Sequence, residues 1–225
     1  MGADTDLIRL AELARQLGYA DPQDKIESVA WVAQAAPQVG ENIVAYYEEM
    51  LSKDKTEVVV GKDDLDLREA EMYCFDANLR LMHSSGDLLA LSVNAALNLG
   101  LTYQECSLGR VKKELAKTTD CGTVLDAMER FQDNDDWRYL MSFANTNKHL
   151  GVVLPEVHGF HIDADGVKHG WVMPEFKYTP QGKNAAEIHN DKMYRSELAG
   201  MRERQVQRVD DVLAEVLKVL EIRTP

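Results

Sequence analysis

Cysteine and long apolar runs are both scarce in this chain of 225 residues, and each shortage excludes a class of protein. The 3 cysteines, Cys74, Cys106 and Cys121, are odd in number and widely spaced, which matches neither a disulfide framework nor a zinc-binding pattern. No segment reaches the roughly 20 apolar residues of a membrane span. Residues 1–17 lack the apolar core of a signal peptide. We therefore expect a cytoplasmic protein with reduced thiols and no membrane contact.

Familiar nucleotide-binding and hydrolase motifs are also missing. The sequence contains no P-loop, no Gly-x-Gly-x-x-Gly and no Gly-x-Ser-x-Gly segment, and we expect no cofactor. Its 38 acidic and 25 basic residues give a formal net charge of −13. Such a charge repels phosphate backbones, which argues against nonspecific nucleic-acid binding across the whole surface but leaves room for a local basic patch.

The spacing of the apolar residues predicts a mainly α protein: a helical bundle with a small β-hairpin inserted before the C-terminal helix. We expect a single domain over residues 1–225. Its parts are an N-terminal helical segment (1–60), core helices (61–150), a hairpin (151–180) and a last helix (190–221). In the hairpin, the tetrapeptide Asp163-Ala164-Asp165-Gly166 has the composition of a tight turn between β-branched and aromatic runs.

Individual helices are bounded by capping signals. A first helix is expected over residues 4–17, with Gly18 as its stop signal, and a second helix starts at Asp21-Pro22. Further helices are expected at about 39–53, 65–100, 103–117, 123–131, 136–150 and 191–221. On the last helix, basic residues alternate with acids, which predicts a solvated, ion-paired face; the basic residues are Arg195, Arg202, Arg204 and Arg208.

The longest helix carries the most informative pattern. Apolar residues recur at four-three spacing along one face, at Phe75, Leu79, Met82, Leu89, Val93 and Ala96. Beside them runs a polar seam, Asp76, Arg80, His83, Asp87 and Asn94, with further apolar residues on its far side. Because a seam between two apolar faces is narrower than an ordinary solvated face, we expect it to border a partly buried cleft.

The helix after Asp136 has a matching polar ridge: Arg138, Ser142, Asn145 and His149. Asn145 and His149 are one turn apart, as are His83 and Asp87 on the longest helix. If the two helices pack side by side, we expect a shared cluster of His83, Asp87, Asn145 and His149, with Arg80 or Arg138 nearby.

Three interpretations of this cluster stay open. The paired polar residues could simply fix helix register, because an unpaired buried polar group costs about 1–3 kcal/mol. They could instead hold zinc or iron through His83, Asp87 and His149, as in a metal-dependent hydrolase built on a helical bundle, although the sequence has no His-x-x-x-His motif. Thirdly, His149 could serve acid–base chemistry or nucleotide binding.

The segment Phe143-Ala144-Asn145-Thr146-Asn147-Lys148-His149 resembles the late-helix motif of HEPN domains, in its Asn-x-x-Lys-His form. Those domains are all-helical and often dimeric, and many are metal-independent ribonucleases. The resemblance covers about residues 65–150. It implies that His149 and Asn145 are the catalytic positions, that Lys148 contacts the ligand, and that the partner is a protein, a second copy, a nucleotide or RNA.

One departure from the HEPN pattern bears on activity. Where the family has an arginine before the polar residue, this chain has Ala144, and Arg138 lies eleven residues before His149, roughly 16 Å along the helix axis. Alanine cannot hold a phosphate or stabilise transition-state charge as a guanidinium does. The resemblance therefore implies a non-catalytic binding protein, whose ligand-binding residues are Arg80, His83, Asp87, Lys148 and Arg138.

Overall fold

A computed structural model describes residues 3–19, 22–30, 42, 62–149, 156–163, 166–172, 176–178, 186–188 and 194–224. Apart from residue 42, the helix expected at about 39–53 lies outside the described residues, as does the centre of the tight turn, residues 164–165. The described part is mainly helical, which confirms the predicted fold class at that level. None of the described helices is both long and apolar enough to cross a membrane.

The helices follow one another along the chain as α1 (Ala3–Gln16), α2 (Gln23–Ala30), α3 (Lys62–Leu97), α4 (Leu108–Leu115), α5 (Gly122–Gln132), α6 (Asp135–His149) and α7 (Tyr194–Arg223). Between α6 and α7 the described strands are β1 (Glu156–Asp163), β2 (Gly166–Val172), β3 (Phe176–Tyr178) and β4 (Ala186–Ile188). β1 pairs antiparallel with β2, from Glu156 opposite Val172 to Asp163 opposite Gly166. β3 pairs antiparallel with β4.

The buried face of α3 is the one that the apolar spacing predicted. Phe75, Leu79, Met82, Leu89, Val93 and Ala96 are all buried. One face of α7 is buried as well, at Leu198, Met201, Val209, Val212, Val216 and Leu220. α3 packs against α6, α7 and α4, while α7 also packs against α5 and α1. A single apolar cluster results, and α3 lies at its centre.

α3 and α6 run antiparallel. Phe75, early in α3, meets Phe143, late in α6, edge to face with ring centroids 5.6 Å apart. Further along α3, His83 stacks on Trp137 at the start of α6, with centroids 5.4 Å apart and planes 9° apart. We call each such contact height along the two helices a level. Residues later in α3 contact residues earlier in α6, and this register decides which polar residues can meet.

The helix expected over 103–117 begins later than predicted, at Leu108. Residues before it are held in a loop by Asn94, whose side chain bonds both the carbonyl and the amide of Leu101, at 2.9 and 3.1 Å. Ser107 then caps α4, its Oγ accepting from the Arg110 amide. Asn94, predicted to belong to the polar seam, is therefore a structural residue that shapes this loop.

Candidate functional site

The polar seam of α3 is divided between two levels of the α3–α6 pair. At the early level, Asp76 Oδ1 accepts from Asn147 Nδ2 at 3.1 Å, while Asp76 Oδ2 accepts from Arg80 Nε at 2.6 Å. At the late level, His83 lies against Trp137. Trp137 and Asn147 are ten residues apart on α6, which separates the two levels by about 15 Å along the helix axis.

This register does not bring the predicted cluster together. His83 and Asp87 lie towards the start of α6, whereas Asn145, Lys148 and the backbone of His149 lie at its end. The periodicity of each helix located the polar ridges, but it contained no information on which residue of one ridge faces which residue of the other. The side chain of His149 lies outside what the structure describes, so its contacts stay a prediction.

Arg138 also lies away from the motif. Its Nη1 donates to Asp135 Oδ1 at 3.1 Å, and both side chains are exposed. Within the described residues, no group of three or more His, Cys, Asp or Glu side chains is arranged to hold a metal ion. The alternative metal set of His83, Asp87 and His149 depends on a side chain outside that part.

The seam is more exposed than a cleft between two apolar faces would be. Arg80 and Asp87 are exposed, and the residues on the far side of the seam, Leu81, Leu88, Leu91 and Ala95, are only half-buried. His83 is less exposed than Arg80 and Asp87. Its burial lowers the pKa of the imidazole, and the Asp87 carboxylate only partly offsets that effect. A neutral imidazole stacked on an indole ring is thus the favoured state of His83 at pH 7.

The deeply buried polar row on α3 is a different one, and sequence reasoning missed it. Asn78, Ser85 and Ser92 are buried at intervals of seven residues within the apolar face. Ser85 Oγ donates to the Met82 carbonyl at 2.6 Å and accepts from Gln205 Nε2 of α7 at 3.0 Å. The heptad spacing of small polar residues was the available signal, because seven residues make nearly two helical turns.

Three buried side-chain oxygens have no hydrogen-bond partner within the described residues: Ser142 Oγ, Thr146 Oγ1 and Gln205 Oε1. Ser142 and Thr146 are one turn apart on α6, immediately beside the Asn145–His149 motif. Buried polar atoms are normally satisfied by protein, water or ligand. The interior next to the motif therefore contains hydroxyl groups whose hydrogen bonds the described residues do not satisfy.

A second feature missed from the sequence is the ion-pair cluster at the start of α6. Asp136, an acid at the start of the predicted helix, is buried and accepts from Arg204 Nε and Nη2 at 2.8 and 2.9 Å and from Arg208 Nη1 at 2.7 Å. Burial opposes ionisation of the carboxyl, but the two guanidinium groups outweigh it and lower the pKa of Asp136. The arginines of α7 thus fix α6 to α7 instead of forming a purely solvated face.

The thiols described are not activated. Burial, with the Asp87 carboxylate second, raises the pKa of Cys106 to about 11. Burial likewise raises the pKa of Cys121 to about 11, although the nearby Arg223 opposes it. Both cysteines are free. Because the thiolate is the nucleophile, neither side chain is suited to covalent catalysis at neutral pH.

Acid titration offers a direct test of the ion pair between Asp120 and Arg223. Arg223 Nε and Nη2 donate to Asp120 at 2.7 and 2.9 Å, and this interaction lowers the pKa of Asp120 from 3.8 to about 2. Since the folded-state pKa is the lower one, the stabilisation is complete above about pH 4 and is lost as the pH falls towards 2. We expect a carboxyl-carbon NMR titration to place Asp120 near pH 2.

In an Arg223→Gln variant the Asp120 midpoint should return towards 3.8, because the main stabilising donor is removed. A native midpoint already near 3.8 would show that the pair is not formed in solution. The comparison needs only the folded protein, so it separates the ion pair from other groups that titrate during acid unfolding.

Comparisons with family models, with curated proteins and with solved structures found no match to this chain.

Proposed function

We propose that this chain is a HEPN-like helical protein that acts by binding and not by catalysis. Its ligand is a protein partner, a nucleotide or an RNA element, and it contacts the polar surface where the early level of α3 meets the end of α6. We define this surface, the motif surface, by Asp76, Arg80, Asn145, Asn147 and Lys148. His83 and Asp87 lie outside it.

The observation that carries the proposal is the interhelical bond between Asp76 and Asn147. It connects the polar seam of α3 to the helix turn that bears the Asn-x-x-Lys-His motif. Arg80 shares the same carboxylate, and about half of its side chain (49%) is exposed, so its remaining N–H groups are accessible to a ligand. Lys148 is exposed on the same turn as Asn147.

Ala144 is the reason for proposing binding without cleavage. In HEPN nucleases an arginine at this position holds the phosphate, and alanine has no donor. Arg80 approaches from the neighbouring helix, but its Nε is committed to Asp76 at 2.6 Å. A guanidinium held in this way supplies charge for binding, whereas stabilisation of a transition state requires donors aimed at the reacting phosphate.

The test uses the purified full chain with two probes, an adenine nucleotide and a short single-stranded RNA, together with sedimentation analysis for a second copy. We expect no RNA cleavage above that of a His149→Ala variant. For the probe or assembly that binds, Arg80→Ala should weaken the affinity about 10-fold or more, as expected when a charged hydrogen bond is lost.

Arg138→Ala is the matched control, because Arg138 is also exposed and also pairs with a nearby aspartate, but at the opposite end of α6. Equal losses for Arg80→Ala and Arg138→Ala would contradict the motif surface. RNA cleavage that His149→Ala abolishes would contradict the non-catalytic assignment. A third variant, Lys148→Ala, should resemble Arg80→Ala.

Two further parts of the sequence-based interpretation belong to this proposal. The first is a small β-hairpin between α6 and α7, which is supported by the antiparallel pairing of β1 with β2. The second is a cytoplasmic, homodimeric protein, which is supported by the scarcity of cysteine and by the HEPN resemblance. Neither part is required for the binding test above.

A further inference from the structure

Basic charge is concentrated on one short helix of this acidic chain. Segment 107–117 contains four basic residues, Arg110, Lys112, Lys113 and Lys117, and one acid, Glu114, whereas the whole chain has a net charge of −13. Leu108, Val111 and Leu115 bury one face of α4 in the core. Arg110, Lys113 and Lys117 are exposed, at intervals of three and four residues, and together form what we call the α4 basic stripe.

The acids beside the stripe are already engaged. Glu114 accepts from Lys117 Nζ at 2.8 Å. Glu105 accepts from the hydroxyl and the amide of Thr102, at 2.7 and 3.2 Å, and it also interacts electrostatically with Arg110. Segment 103–117 carries four basic side chains against the two carboxylates of Glu105 and Glu114, which leaves an excess of positive charge. At physiological salt the Debye length is about 8 Å, so a ligand on the stripe experiences these charges more strongly than the acidic charge elsewhere.

An exposed aromatic ring lies in the loop that leads into α4. Tyr103 is 80% exposed, and four residues separate it from Leu108, where α4 begins. The chain length between Tyr103 and the cap Ser107 limits their separation to about 13 Å. Among the described residues, the exposed large hydrophobic side chains are Ile8, Tyr103 and Ile222, and Tyr103 is the aromatic one.

We propose that Tyr103 and the α4 basic stripe form a docking surface for single-stranded nucleic acid. Arg110, Lys113 and Lys117 contact successive phosphates, and Tyr103 stacks on a base at the N-terminal end of the helix. A basic groove or stripe beside an exposed aromatic ring is the combination that binds single strands with little sequence preference. An acidic protein segment would use the charges, but it would have no base to place on Tyr103.

This surface is separate from the motif surface, and the proposal does not rest on the function proposed above. α4 packs against α3 at the level of Gly86, where Leu108 lies close to the α3 backbone. That contact is at the His83 level, where Trp137 lies eleven residues, or about 16 Å along α6, from Lys148. Variants of the two surfaces therefore report on different sites.

The experiment measures fluorescence anisotropy of labelled single-stranded RNA and DNA oligonucleotides with the full chain. With three phosphate contacts, the slope of log affinity against log salt should be about −2, so that binding weakens about 20-fold between 50 and 200 mM salt. An Arg110→Ala/Lys113→Ala variant should reduce the slope to about −0.7. Tyr103→Ala should weaken binding about fivefold or more at constant slope.

Lys117 and Lys218 form a matched pair of control variants. Each lysine is exposed, 68% and 63% respectively, and each binds a glutamate three residues earlier, but only Lys117 belongs to the stripe. Lys117→Ala should weaken binding severalfold, whereas Lys218→Ala should leave it unchanged. Circular dichroism of each variant checks that the helical content of the chain is unchanged.

Several outcomes would overturn the proposal. Absence of binding at 50 mM salt would do so, as would equal effects of Lys117→Ala and Lys218→Ala. Competition by poly-glutamate as effective as that of unlabelled oligonucleotide would identify an acidic protein segment as the occupant. If Arg80→Ala abolishes oligonucleotide binding and the Arg110→Ala/Lys113→Ala variant does not, the strand binds the motif surface and not α4.

Discussion

Replacement of Asp136 by alanine is expected to lower the free energy of unfolding by about 2–3 kcal/mol, because two guanidinium groups lose their common acceptor. Arg204 binds the carboxylate through two N–H groups and Arg208 through a third. The expected loss is smaller than the roughly 3–5 kcal/mol of a fully buried pair, since both arginines keep some access to water. The variant also weakens the attachment of α6 to α7.

Urea unfolding at neutral pH measures this effect, and thermal unfolding should show a midpoint lower by about 4–12 °C for a chain of this size. Asp135→Ala is the control, because Asp135 is next to Asp136 in the first turn of α6 and interacts with the same helix dipole. Its side chain is 94% exposed, against 11% for Asp136. We expect a change within about 0.5 kcal/mol there, and similar losses in both variants would argue against the Arg204–Asp136–Arg208 cluster.

Replacement of Gly86 by alanine is expected to destabilise the protein by about 1–3 kcal/mol, although alanine is the better helix former. A Cβ at Gly86 would overlap the Trp137 ring, reaching within 2.9 Å of Cζ3, and would lie 3.0 Å from Leu108 Cδ1. The ring has little room to move, because it stacks on His83 and also contacts Phe131, with centroids 5.1 Å apart. Gly86 thus allows the close approach of α3 and α6.

A double-mutant cycle separates this clash from other effects of the substitution. In a Trp137→Leu background the overlap with the ring is absent and only the 3.0 Å approach to Leu108 Cδ1 remains, so Gly86→Ala should cost markedly less there than in the native background. Gly109→Ala on α4 is a second control, because no atom lies within 4 Å of the Cβ that it would add. If Gly86→Ala were as harmless as Gly109→Ala in the native background, the packing of Trp137 against Gly86 would be refuted.

The parts of the fold that the sequence predicts well are those determined by short-range periodicity. The four-three spacing on α3 identified its buried face, and Gly18, with φ of +72°, follows α1 as the expected stop signal. The helix after Asp136 starts one residue earlier than expected, with Asn134 Oδ1 accepting from the Trp137 amide. In each case the deciding interaction lies within a few residues along the chain.

The candidate site could be predicted only in part, because its geometry depends on the register between helices. Each helix could show its polar ridge, but the level at which His83 meets Trp137 is set by side-chain shapes, above all by the space at Gly86. Pairings across more than a hundred residues, such as Ser85 with Gln205, leave no local pattern. Asp136 illustrates the same limit: an acid at a helix start has a local explanation, and its actual partners lie on α7.

The bond between Ser85 and Gln205 has a consequence for how the chain acquires its structure. The two residues are 120 positions apart, and Asp120 and Arg223 are 103 apart. Contacts of such long range form slowly, because a large loop must close before they contribute. During synthesis the apolar side of α3 emerges from the ribosome long before α7 is available to cover it. We therefore expect part of that apolar side to stay uncovered, and prone to association, until translation has passed α7.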